Sequence, residues 1–226
     1  IKQFKDLARE EHNSAVKDFN KAREEEGWTA KVGDTVCGWF GCNTIEDLNK
    51  KLGKNKEFVQ ALVNSKSEAE FREIYKNGIT TSDGRKIEGF GVEFDPNKIS
   101  ARQNAIEKYS FALNCDNTAK AADKVLKHSD SWGYSDIKTA IRNNFKYNNA
   151  TIDQIIENYA QSKGIQNPTD ADKKAILVQF LNDTKTNARR EFTNIAQGKS
   201  LDQMGKDIEL ITRSAFGTND IVKDVI

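Results

Sequence analysis

Four side chains could hold a soft metal: Cys37, Cys42, Cys115 and His128, arranged as Cys-x4-Cys and Cys-x12-His. Structural zinc sites are built from such close pairs of ligands. Here Cys42 and Cys115 stand 73 positions apart and the spacing inside each pair is loose, so no metal and no cofactor is expected. Cys37-Gly-Trp-Phe-Gly-Cys42 suits a small local disulfide loop instead, its two glycines easing the bend.

Nucleophilic or general-base chemistry near neutral pH turns on His12 or His128, the only imidazoles in the chain. His12 follows Glu10 and Glu11 on a charged stretch, where a solvated side chain is the plain reading. His128 is the better candidate, with Ser129, Asp130, Trp132 and Tyr134 beside it on a polar, aromatic loop. His128 and Asp130 are thus the catalytic candidates, although a helix C-terminus alone favours a histidine. Paired carboxylates could do glycosidase-type work, with Glu88 or Glu93 near the hairpin as a candidate, but no glutamate set stands in the expected helix-then-hairpin order. With 34 acidic residues in the chain, such pairings arise readily by chance.

A third chemistry is electrostatic. Lys138, Arg142 and Lys146 recur at intervals of four, bordered by Trp132, Tyr134 and Tyr147, a pattern that could grip a nucleic-acid backbone and stack bases. The same spacing also describes a solvated helix face. Lys and Arg number 35 against 34 Asp and Glu, a formal charge of +1, so no global field draws in nucleic acid and none is expected as partner.

The elements that must position these residues are mostly helical. Ile1 to Glu26 reads as an opening helix, in which Ala-Arg-Glu-Glu at residue 8 recurs at residue 22, two heptads on. Trp28 to Cys42 breaks the helical pattern with glycines and carries Trp28, Trp39 and Phe40, either a plug over the core or a contact surface. Three short helices follow, over 44–52, 55–64 and 67–76.

The next stretch is the one that asks for strand. Ser82-Asp83-Gly84-Arg85 is a hairpin turn signal, and Phe90, Val92 and Phe94 alternate with Gly89, Gly91 and Glu93. One face can then be buried, and Gly89 and Gly91 could let a ligand's backbone approach closely. Asp95-Pro96 opens a helix to about 113, and a further one covers 117–127. Helices capped at Ser135 and Thr151 follow, and Asn167-Pro168-Thr169-Asp170 begins the longest, running to about 197. Leu201 to Ala215 repeats its three-four spacing, so these two should fold back as an antiparallel pair.

The pattern predicts a mainly α, multi-helix, bundle-like protein with a single β-hairpin near residues 79–94. It divides into an N-terminal helical block over 1–95 and a C-terminal helical bundle over 96–226. No run of 18 apolar residues is present to span a bilayer, and a start at Ile1 is compatible with a soluble chain exported with removal of a leading segment. The functional expectation is a non-catalytic interaction or structural protein, with Trp28, Trp39, Phe40 and Phe90 as its contact residues. Its partner would be another protein or a second copy of itself. The alternatives are an effector-like or toxin-like enzyme acting through the loop around His128, and a nucleic-acid-binding module.

Overall fold

A computed structural model of the protein describes residues 56–218. The opening helix, His12, the Cys37 to Cys42 loop, Trp28, Trp39 and Phe40 lie outside the described residues. Within them the chain is mainly α, with seven helices and one two-stranded antiparallel hairpin. It divides into two compact units: residues up to Tyr109 together with those from Asp202 onward, and Ser110–Leu201. The expected division at 95 to 96 coincides with the start of a helix, Pro96–Leu126, whereas the two units change over inside that helix.

The first unit contains α1 (Lys56–Val63) and α2 (Glu68–Asn77). Ser67 caps α2 by accepting from the Glu70 amide, as its sequence predicts. The Glu70 carboxylate reaches back one residue further than a simple capping box and accepts from the Lys66 amide at 2.8 Å. Strands β1 (Ile79–Thr80) and β2 (Lys86–Ile87) pair with Ile79 opposite Ile87. Gly84 takes φ +85° in the turn between them, the left-handed conformation for which glycine suits the position.

The alternation of Phe90, Val92 and Phe94 produces the expected burial, with both phenylalanines 3 % exposed, but these residues pair with no strand. Their backbone is used elsewhere. The Phe90 amide donates to the Tyr75 carbonyl at 2.8 Å and the Gly91 amide to the Lys76 carbonyl at 3.0 Å. The last carbonyls of a helix have no partner inside it, and this extended segment supplies one. Gly89 makes the approach feasible, since a Cβ there would sit 2.6 Å from both of those carbonyl oxygens and from the Gly78 nitrogen. The backbone brought close to Gly89 is therefore the protein's own.

α3 spans Pro96–Leu126 as one helix of 31 residues, where two helices were expected, and it rather than the Thr169-capped helix is the longest described. Asn114 to Thr118 is polar and locally weak for helix, but it holds no Gly or Pro. Its Cys115, with Ala119, packs against Ala188 in a small buried cluster, and such tertiary packing outweighs propensity differences of a few tenths of a kcal/mol.

The second unit continues with α4 (Tyr134–Phe145), α5 (Asn149–Lys163) and α6 (Asp170–Ala196). Ile137 and Ile141 of α4, Ile152 and Ile156 of α5, and Ile176, Leu177 and Leu181 of α6 form its core with Ala122 and Val125 of α3. Thr169 and Asp172 make a complete capping box at α6. α5 is capped by Asn148 rather than Thr151, whose amide instead donates to the Asn148 side chain. α4 has Gly133 at its N-cap position and no side-chain cap, so Ser135 lies inside the helix. α7 (Leu201–Phe216) returns to the first unit, where Ala215 and Phe216 are buried with Tyr75 and Phe90. No helix among the described residues is long and apolar enough to cross a membrane.

Candidate functional site

Tyr75, fully buried near the end of α2, is the hub of the hairpin's foundation. Its ring centroid lies 4.6 Å from Phe90, 5.1 Å from Phe94 and 6.2 Å from Phe216. Its hydroxyl donates to the Ala215 carbonyl near the end of α7, and burial pushes its phenol far above the ordinary value. Arg102 of α3, 8 % exposed, donates from Nε to Thr212 Oγ1 at 2.9 Å and lies 5.5 Å from the Phe216 centroid. Burial draws its guanidinium down to about 10. Arg102 also stands by the C-terminal turn of α7, whose carbonyl dipoles favour a cation. Buried polar groups thus tie α2 and α3 to α7, and the aromatic cluster fills the space between them.

The sequence pointed to Phe90 as a contact residue. The structure corrects this: Phe90 is 3 % exposed and packed edge-on to Phe58 and Phe216, because its side of the extended segment is the core side. The tip of the hairpin has the opposite character. Ser82, Asp83, Gly84, Arg85 and Lys86 are exposed yet held in place. Thr81 Oγ1 donates to Asp83 Oδ1, the Arg85 amide donates to Thr81 Oγ1 at 3.0 Å, and Arg85 Nε donates to Asp83 Oδ2 at 2.8 Å. The Thr81 hydroxyl, followed by Arg85, lowers the Asp83 carboxyl to about 2. At the foot, Glu93 pairs with Lys76 at 2.6 Å. Of the two glutamates considered for carboxylate chemistry, Glu93 is held in that ion pair and Glu88 is exposed.

His128 lies in the turn after α3, half-buried, with its ring stacked on Trp132 at 4.1 Å and 16°. Its carbonyl accepts from the Ser131 and Trp132 amides, which shapes the turn. Asp130 is exposed in the same turn. Cys115 is buried at 5 % in the second unit, and among the described residues no cluster of three or more His, Cys, Asp or Glu could hold a metal.

The basic stripe is split by the fold. Lys138 Nζ donates to Asp153 Oδ1 of α5 at 2.8 Å, an ion pair that raises its pKa above the ordinary lysine value. Arg142 is exposed in the last turn of α4. Lys146, expected inside that helix, follows its end in the left-handed conformation at φ 59°. Of the bordering aromatics, Tyr147 stacks on Phe145 at 5.7 Å, and Tyr134 faces Lys138.

Tyr134 and Lys138 instead line an open cleft of about 990 Å³ beside α5. Its floor is Ile156 and Ala160, each 4 % exposed, and Ile165. Asp153 and Glu157 line it from α5, Gln161, Gln166 and Asn167 from around the α5 to α6 loop, and Lys173 from α6. Lys173 Nζ lies 5.3 Å from the Tyr134 centroid and Lys138 Nζ 5.8 Å, cations against one ring. Sequence spacing alone did not single out Glu157 or Lys173. The local signal was the Thr169 to Asp172 capping box, which fixes where α6 begins and so which residues form its first turns.

No protein-family profile, no curated protein and no solved structure matches the chain.

Proposed function

We propose that the chain is a non-catalytic interaction protein, and that its contact surface includes the exposed hairpin tip. The supporting observation is the contrast between tip and foundation. Five consecutive exposed residues are ordered by the Thr81, Asp83 and Arg85 hydrogen bonds, and the segment that follows them is locked to α2 and the aromatic cluster. A preordered polar loop on a rigid base loses little conformational entropy when a partner docks, which favours recognition. The partner class is another protein or a second copy of the chain. The Trp28 to Cys42 segment, with Trp39 and Phe40, belongs to the same proposal on its sequence.

A photo-crosslinking amino acid in place of Ser82 tests the tip, with one in place of the exposed Asn158 of α5 as control. The reading expects a covalent adduct from position 82 in extract of the native source, absent from position 158 and weakened by Trp39→Ala with Phe40→Ala. An adduct of twice the chain's mass would identify a second copy. No adduct, or the same adducts from both positions, refutes the tip as a contact surface.

A further inference from the structure

The charges lining the cleft beside α5 fall into two kinds. Lys138 and Asp153 satisfy one another at 2.8 Å. Lys173 and Glu157 do not: neither has an opposite charge within ion-pair distance among the described residues, and they are not paired with each other. One unpaired cation and one unpaired anion therefore face the same concavity, over an apolar floor of Ile156 and Ala160.

We propose that this cleft binds a small zwitterion, an α-amino acid or a short peptide, with its carboxylate at Lys173 and its ammonium at Glu157. The lining carries two positive and two negative side chains, so a ligand of net charge zero leaves the site neutral. A simple anion would leave Glu157 as an unpaired like charge beside it, and a simple cation would do the same with Lys173. The amide groups of Gln161, Gln166 and Asn167 each offer a donor and an acceptor, as the peptide group requires. An apolar ligand side chain would rest on Ile156 and Ala160. Tyr134 flanks Lys173 and limits the directions from which a carboxylate can reach its ammonium.

The test is an amide chemical-shift titration of the ¹⁵N-labelled full chain with four probes: free leucine, the tripeptide Ala-Leu-Ala, its N-acetylated form and its C-terminal amide. Leucine or Ala-Leu-Ala should shift the amides of Gly164, Ile165 and Gln166 with a Kd on the order of 1 mM. Each blocked peptide should bind about tenfold more weakly, the cost of losing one charge contact. Lys173→Met should abolish the preference for a free carboxylate and Glu157→Gln the preference for a free ammonium. Both lie at the surface of their helices, and their amide spectra check that the fold is kept. Saturation by leucine points to free amino acids, whereas a response to Ala-Leu-Ala alone points to peptides. No shift from either probe at about 20 mM overturns the proposal. Equal binding of blocked and free peptides, or unchanged preference in both variants, overturns it as well.

Discussion

Replacing Gly89 by alanine asks whether the glycines of the hairpin segment serve an incoming ligand or the protein's own backbone. A Cβ at residue 89 would stand 2.6 Å from the Gly78 nitrogen and 2.6 Å from the carbonyl oxygens of Tyr75 and Lys76. All three atoms are backbone near the end of α2, so none can turn aside as a flexible side chain would. The segment must withdraw, and withdrawal breaks the Phe90 to Tyr75 and Gly91 to Lys76 hydrogen bonds. At about 1 kcal/mol for each bond, this is about 2 kcal/mol. Disturbed packing of Phe90 in the aromatic cluster adds about 1–2 kcal/mol. Gly89→Ala should therefore destabilise the first unit by about 3–4 kcal/mol.

Gly91→Ala supplies the control. Its φ of +72° disfavours a side chain, yet a Cβ there meets nothing within 4 Å, so only the left-handed cost of about 1–2 kcal/mol applies. Urea unfolding, with hydrogen exchange read at the amides of residues 90 and 91, separates the two variants. Equal loss of stability, or a protected Phe90 amide in Gly89→Ala, would refute the account of close backbone approach.

The remaining predictions concern the polar groups. Tyr75→Phe removes the buried donor to the Ala215 carbonyl and should cost about 1–2 kcal/mol in urea unfolding; a change below about 0.5 kcal/mol would mean that the bond adds nothing net. Asp83, lowered to about 2, should stay ionised in acid, so the stability that its bonds to Thr81 and Arg85 contribute is fully present above the ordinary carboxylate value and is lost as pH falls through about 2. A carboxyl-carbon NMR titration giving an ordinary midpoint would contradict this. Tyr159 is pushed up to about 12 by burial and then by its hydrogen bond to Asp183, at 2.9 Å. The unfolded phenol ionises near 10, so its contribution is intact below about 10 and lost as pH rises through about 12. Ultraviolet titration of Tyr159→Phe should lack one phenol ionising near 12; an unchanged curve there rules the assignment out.

What could be read in the sequence was local. Ser82-Asp83-Gly84-Arg85 announced its turn because the chemistry of a turn lies within its own residues, and Ser67, Asp95 and Thr169 marked helix starts for the same reason. The alternation around Phe90 and Phe94 foretold burial, but a period of two fits any extended chain. It could not say that the backbone partner would be the end of a helix. The junction at Asn114 to Asp116 read as a break because what sustains the helix there, the packing of Cys115 and Ala119 on Ala188, lies about 70 positions away. The cleft was hidden likewise. Lys138 was visible as a repeat of basic residues, whereas its partner Asp153 and its neighbour Lys173 come from two other helices.

At the hairpin, tip and foundation should answer differently to mutation. Phe90 sits in the segment that most invites substitution, and Phe90→Ala would empty a space between Phe58, Tyr75 and Phe216. Such a cavity costs about 3–5 kcal/mol and loosens the anchorage of the tip. Lost binding in that variant would thus be the same whether Phe90 touched a partner or only held Asp83 and Arg85 in place. Ser82 and Lys86 are free of that ambiguity: they are exposed, and the bonds that order the tip run through Thr81, Asp83 and Arg85. A contact surface at the tip should respond to changes at positions 82 and 86 with stability unaltered, while a purely structural hairpin should respond to Phe90 alone.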